Sequence, residues 1–177
     1  NRRHQDINWI GHCRLFDASD GVGVVEVESA NVYPETKDYR RTFAMVDLDD
    51  SESYLVDLFR VSGGSEHLLS FHAGEGSVKV EGLSLTAQET GSFAGPDIAF
   101  GEHFDGEPDG RYKGSGYSYL YDVSKAGDTP GGWRADWDLV DTWQKRTGDE
   151  PVHVRFHALS PAGTTALAHG DPPQNKP

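Results

Sequence analysis

The sequence predicts an all-β protein, specifically an antiparallel β-sandwich of about eight to ten strands. Twenty-one glycines and nine prolines divide the 177 residues into short segments. Within those segments apolar and polar residues alternate with a period of two, which is typical of strands that bury one face. No long segment shows the 3.6-residue apolar period of an amphipathic helix. We therefore predict a single β-sandwich domain over residues 1–177.

The predicted strands follow one another from residue 22. Val22–Ser29 alternates valine with glutamate, and the segments 39–48 and 54–61 flank an acidic turn, which predicts a β-hairpin. The clearest strand covers residues 133–139, where Trp, Ala, Trp and Leu alternate with charged residues. Further strands are predicted over residues 67–72, around 78–80, and over 117–123, 152–160 and 164–168. A long loop over about 90–116 and a loose tail over 170–177 complete the chain.

Charge and composition exclude several classes of function. Sixteen Lys and Arg against 29 Asp and Glu give a net charge of −13, so we expect neither a nucleic-acid partner nor binding to an anionic membrane. The apolar runs are too short for a membrane-spanning helix. Cys13 is the single cysteine, which leaves no internal disulfide and no cysteine-based zinc site. Because Asn1 comes first and the tail is proline-rich, we interpret the chain as a piece of a longer protein.

Two charged residues of the 54–61 segment are predicted to be structural. Asp57 and Arg60 fall on opposite faces of that strand, which is otherwise apolar. Charges in such strands are usually paired, and the preceding strand offers Arg40 and Arg41 to Asp57.

Histidines supply the candidate chemistry. His67 or His72, at most one of them, could serve as an acid, a base or a charge-stabilising group; the alternative is a polar residue hydrogen-bonded at a sheet edge. His153, Arg155 and His157 share one strand face and could receive a carboxylate or sulfate, or could form a solvated outer face. No metal ligands are assigned in this chain.

Aromatic residues form two predicted ladders. One contains Trp133 and Trp137, and the other contains Tyr117, Tyr119 and Tyr121. Inward-facing rings would simply form core, whereas an exposed row could stack on sugars. Core is the interpretation that the sequence favours.

Three segments in order carry a resemblance to a known family: Tyr39-Arg40-Arg41-Thr42-Phe43, then Val56-Asp57-Leu58-Phe59-Arg60 with Gly63-Gly64, then Phe71-His72. This order resembles the β-sandwich portion of the heparinase II/III-like polysaccharide lyases. The 133–139 and 152–159 segments and the Gly170-Asp171-Pro172-Pro173 ending are also similar. The resemblance covers most of the chain from about residue 22 and is weakest through the long loop.

The resemblance implies a larger protein, with an N-terminal α/α toroid followed by this sandwich. Such enzymes cleave acidic, uronate-containing polysaccharides, such as glycosaminoglycans or alginate, by β-elimination, and they are usually secreted or periplasmic. The toroid supplies a catalytic Tyr and an Asn, and the early sandwich often holds a structural zinc in a His-Asn-Thr segment that this chain lacks. Only His72 or His67 is carried over as a catalytic candidate, and we expect the chain alone to be inactive and free of cofactors.

Two other interpretations remain open from the sequence. The chain could be a carbohydrate-binding module that exposes one of the aromatic ladders. It could also be a structural interaction module that buries one sheet against a partner.

Overall fold

The computed structural model describes residues 10–29, 31–50, 52–102 and 116–171. These residues form ten strands in three antiparallel sheets, with no α-helix and one short 3₁₀ turn at Tyr117–Tyr119. The all-β antiparallel prediction is therefore confirmed. Within the same ranges, no helix is long and apolar enough to cross a membrane.

Residue contacts group the chain into two compact units, Asn1–Phe71 and His72–Pro177. Each unit is described by itself. The single sandwich domain predicted over residues 1–177 stays a prediction. Of the predicted long loop and tail, residues 103–115 and 172–177 lie outside the described part of the chain.

The first unit holds a four-stranded meander in which consecutive strands are neighbours. Its strands are β1 (His12–Ser19), β2 (Val22–Glu28), β3 (Thr36–Asp47) and β4 (Ser53–Gly63). β3 and β4 pair along their whole length, from Asp47 opposite Ser53 to Thr36 opposite Gly63, so the predicted hairpin is confirmed. β1 was not predicted, because the adjacent Leu15 and Phe16 break the period of two. A register shift between Cys13 and Leu15 accompanies this break.

Both faces of this sheet carry apolar side chains. Because directly paired residues of an antiparallel sheet share a face, the register assigns each side chain. We call one face the Phe43 face; it contains Phe16, Val25, Val27, Arg41, Phe43, Met45, Leu55, Asp57 and Phe59. The opposite face, which we call the Thr42 face, contains Leu15, Val24, Glu26, Arg40, Thr42, Val56, Leu58 and Arg60.

The second unit contains two three-stranded sheets. One has the order β5 (Gly76–Glu81), β8 (Trp133–Leu139) and β9 (Val152–Ala158). The other has the order β10 (Ala162–Gly170), β7 (Leu120–Thr129) and β6 (Thr86–Ala87). The central strand β7 supplies three of the few buried side chains among the described residues, Val123, Ala126 and Thr129.

The β5–β8–β9 sheet has the two-faced character that its sequence predicts. Val78, Trp137 and Val154 are register partners on one face, and Lys79, Asp136 and Arg155 are register partners on the other. Ala135, on the apolar face, is only 1% exposed. The sheet therefore has one apolar face and one polar face, which we call the Asp136 face.

The predicted strand over residues 67–72 is wrong. Residues 64–75 join no sheet ladder. Gly63 and Gly64 adopt φ values of 89° and 74°, which turn the chain away from β4. The adjacent Leu68 and Leu69 also interrupt the alternation that a half-buried strand requires, and both are exposed.

Candidate functional site

His67 closes the turn that follows β4. Its Nε2–H donates to the carbonyl oxygen of Gly63 at 2.6 Å, and the residue is exposed. Because a carbonyl oxygen can only accept, Nε2 carries a proton in this contact. Since the same bond ties the ring to its own turn, the geometry supports a local structural role for His67.

His72 is the first residue of the second unit and is exposed. No hydrogen bond or ion pair involves its ring among the described residues. His67 belongs to the first unit. The structure therefore gives the two candidate histidines different surroundings, with His67 held in a turn and His72 open to solvent.

His153, Arg155 and His157 lie on the Asp136 face of β9, as predicted. Asp136 of β8 bridges the first two: its Oδ1 accepts from His153 Nδ1 at 2.7 Å, and its Oδ2 accepts from Arg155 Nε at 2.7 Å. These two hydrogen bonds, the Arg155 bond first, lower the pKa of the Asp136 carboxyl. A carboxylate held on Nδ1 orients the imidazole so that Nε2 can accept a proton or a ligand.

The other cations of the Asp136 face are also paired with carboxylates. Lys79 Nζ lies 2.9 Å from Glu81 Oε1, and Arg134 contacts Glu81 Oε2 at 2.5 Å. A polyanion that bound here would have to compete with Glu81 and Asp136 for each of these cations. The face therefore offers a weak binding surface for acidic polysaccharide, although it carries the three residues predicted to contact substrate.

A second ionic cluster, on the Thr42 face, was missed by the sequence analysis. Glu26 Oε2 accepts from Thr42 Oγ1 at 2.7 Å and from Arg60 at 3.3 Å, and Arg40 lies 3.6 Å from Oε1. The Thr42 hydrogen bond is the largest cause that lowers the pKa of Glu26, and the arginines add to it. Placing Glu26 beside residues that are 14 to 34 positions away requires the strand order and register, which the sequence does not specify.

The Arg41–Asp57 pair lies on the Phe43 face. Arg41 Nε and Nη2 donate to the Asp57 carboxylate at 3.0 Å and 2.6 Å. The guanidinium carbon also lies 4.6 Å and 5.3 Å from the ring centroids of Phe43 and Phe59. The prediction that Asp57 is paired from β3 is confirmed, and Arg41 is the partner.

The two aromatic ladders have different environments. Trp133 and Trp137 lie on the apolar face of the β5–β8–β9 sheet, where the Trp133 ring contacts Phe156 at 5.5 Å. The tyrosines of residues 117–121 make edge-to-face ring contacts. Tyr117 packs on Phe93. A connected group of rings, which we call the Tyr121 cluster, comprises Phe100, Tyr119, Tyr121 and His169.

An acidic depression lies at the ends of two hairpins of the first unit. It is lined by Gly21, Asp47, Asp49, Asp50, Glu52 and Ser53. The Asp49 carboxylate accepts from the backbone N–H of Glu52 at 2.9 Å, which is ordinary turn chemistry. In the described ranges, no three His, Cys, Asp or Glu side chains converge in a way that could hold a metal ion.

Comparison with known protein families, with curated proteins and with solved structures finds no match to this chain.

Proposed function

We propose that this chain is the C-terminal β-sandwich of a heparinase II/III-like polysaccharide lyase. In this proposal the chain supports an N-terminal helical toroid of the same protein and lines one wall of its substrate cleft. The reaction is β-elimination: a cation neutralises the uronate carboxylate, a base removes the adjacent carbon-bound proton, and an acid protonates the leaving glycosidic oxygen.

The observation that best supports the proposal is the pairing of β3 with β4, two strands that contain motifs of the family resemblance. The aromatic-Arg-Arg segment forms β3, the Val-Asp-Leu-Phe-Arg segment forms β4, and the Arg41–Asp57 pair joins them. Residues that are 16 positions apart thus form one structural element, which supports a role for the motif in holding a sheet. A scaffold role for these residues would agree with a chain that is inactive alone.

The charge distribution indicates that different parts of the proposed enzyme attract the substrate and support its cleft. The chain carries a net charge of −13, and Lys79, Arg134 and Arg155 on the Asp136 face are already paired. The cations that attract an acidic polysaccharide would therefore come from the toroid. This chain would contribute at most one histidine, and the exposed His72 fits that role better than His67, which its own turn holds.

The test is an elimination assay on the full-length, metal-replete protein with a panel of uronate polysaccharides, followed by ultraviolet absorbance of the unsaturated product. We expect product from at least one polymer. Loss of a general acid or base lowers such rates by about 100-fold or more, so His72→Ala should show this loss. His12→Ala, which removes an exposed histidine of β1 that has no assigned role, serves as the matched control and should retain activity.

Absence of product from every polymer, with a folded protein, would contradict the lyase proposal. Full activity in His72→Ala would remove that histidine from the mechanism, and a loss in His67→Ala alone would assign the role to His67.

A second candidate function, a structural interaction module without catalysis, is favoured by the exposed apolar residues of the first sheet. Phe16 is 77% exposed and Leu55 is 57% exposed on the Phe43 face, and Leu58 is 49% exposed on the Thr42 face. Exposed apolar patches of this kind mark surfaces that pack against other protein. This candidate predicts a full-length protein that covers the sheet but yields no elimination product.

A further inference from the structure

The Tyr121 cluster holds one exposed aromatic ring in a fixed orientation. Phe100 is 49% exposed, yet its ring contacts Tyr119 at 5.8 Å and Tyr121 at 5.4 Å, both edge to face. Contacts of this geometry restrain the plane of a ring. Phe100 therefore presents apolar surface to solvent without the freedom of an isolated side chain.

Backbone hydrogen bonds attach the loop that carries Phe100 to β7, the strand that carries Tyr121, and to the 3₁₀ turn directly before it. Phe93 N–H donates to the Leu120 carbonyl at 2.8 Å, and Gly101 N–H donates to the Ser118 carbonyl at 2.9 Å. The Phe93 ring also packs edge to face on Tyr117 at 5.2 Å. The aromatic surface is thus fixed at both ends of the loop segment 93–101.

Two polar groups lie beside these rings. His169 packs edge to face on Tyr121 at 5.7 Å, and its Nδ1 lies 3.6 Å from Asp122 Oδ2. Both polar side chains are largely exposed, His169 by 57% and Asp122 by 71%. Among the described residues, no hydrogen bond is made by His169 Nε2.

The backbone directs Asp122 outward. It has a φ of 49°, a conformation that is uncommon outside glycine, and the register shifts here because Tyr121 pairs with His169 while Ser124 pairs with Leu167. Bulges of this kind redirect a side chain, and they are frequent beside functional sites. The fold therefore holds a carboxylate next to an imidazole and a fixed aromatic surface.

We propose that Phe100, Tyr121, Asp122 and His169 form a binding site for a neutral oligosaccharide. The apolar C–H face of a pyranose ring would pack on Phe100, sugar hydroxyls would donate to the Asp122 carboxylate, and His169 would hydrogen-bond a further hydroxyl. The ligand is neutral because the four residues include a carboxylate and no Lys or Arg, in a chain of net charge −13. The site does not depend on lyase activity.

The test is an NMR or calorimetric titration of the full chain with neutral oligosaccharides (cello-, xylo-, manno- and laminari-oligosaccharides) and with a uronate oligosaccharide. We expect saturable binding of at least one neutral ligand and none of the uronate. Phe100→Ala should weaken binding at least about tenfold, since a stacked ring contributes on the order of 1.4 kcal/mol. Asp122→Asn should weaken it several-fold without unfolding, because Asn tolerates a positive φ.

Phe16→Ala, which removes an exposed ring from the first unit, is the matched control and should bind as the unchanged chain does. No saturable binding of any neutral oligosaccharide would overturn the proposal. So would equal affinity in Phe100→Ala, or tighter binding of the uronate ligand. Because the assay measures binding without catalysis, its outcome is independent of the elimination assay.

Discussion

Asp136 shows how one side chain organises a surface of this protein. It accepts from His153 and Arg155, which the sequence places 17 and 19 residues away, and thereby fixes both on one face. The sequence predicted that the β9 residues share a face, because strand periodicity alone determines this. It did not predict their carboxylate partner, because that depends on which strand lies alongside β9.

The Asp136 contacts predict a defined pH dependence. The folded-state pKa of Asp136 is lowered by Arg155 first and His153 second, so the contacts stabilise the fold above the ordinary pKa of 3.8 and are lost as the pH falls through the lower folded value. Asp136→Asn should therefore unfold at lower denaturant concentration near neutral pH, and its difference from the unchanged chain should shrink as the pH falls below 3.8.

Urea unfolding across that pH range provides the measurement, and Asp138→Asn provides the control. Asp138 lies on the same face of β8, without an ion-pair partner among the described residues. A difference in urea unfolding between Asp136→Asn and the unchanged chain that stays constant down to the lowest pH would contradict a stabilising role for the Asp136 contacts.

At the scale of elements, the period of two in the sequence predicted most strands. It missed β1 and wrongly predicted a strand over residues 67–72. β2, β3, β4 and β8 follow a period of two, and the structure contains each of them. β1 carries a register shift that hides its period, and residues 67–72 have apolar side chains but join no ladder. A strand forms only where a neighbouring strand pairs with it, and the local alternation of apolar and polar residues does not specify that neighbour.

The loop at residues 91–96 illustrates a second determinant of element geometry, which is close backbone contact. Gly91 has a φ of 75°, and a Cβ added there would collide with the carbonyl oxygens of Gly95 and Pro96. Ser92 and Gly95 exchange two backbone hydrogen bonds of 3.0 Å directly beside it. Only glycine fits this position. Phe93, whose ring packs on Tyr117, lies in the same loop.

We therefore predict that Gly91→Ala destabilises the chain by about 2–4 kcal/mol, through backbone strain and steric overlap together. Gly132→Ala is the matched control: Gly132 has a φ of 87°, but nothing lies within 4 Å of an added Cβ, so only the strain of about 1 kcal/mol is expected. Denaturant unfolding measures both values. Equal effects of the two substitutions would contradict the steric argument.

At the scale of the whole molecule, the described residues bury few apolar side chains relative to those they expose. Val32, Val123, Ala126 and Ala135 are the buried apolar residues in those ranges. Composition predicted an all-β chain of modest apolar content, but it could not reveal that the four-stranded sheet of the first unit exposes apolar residues on both faces. That arrangement is a property of the strand register.

In both proposed functions, the first sheet of this chain would pack against the rest of a larger protein. Met45, the only methionine, is 53% exposed on the Phe43 face, so its oxidation by peroxide reports directly on that face. We expect rapid gain of one oxygen in the isolated chain and at least about tenfold slower oxidation in the full-length protein. Equal rates in the two proteins would show that the Phe43 face stays open, and would contradict the claim.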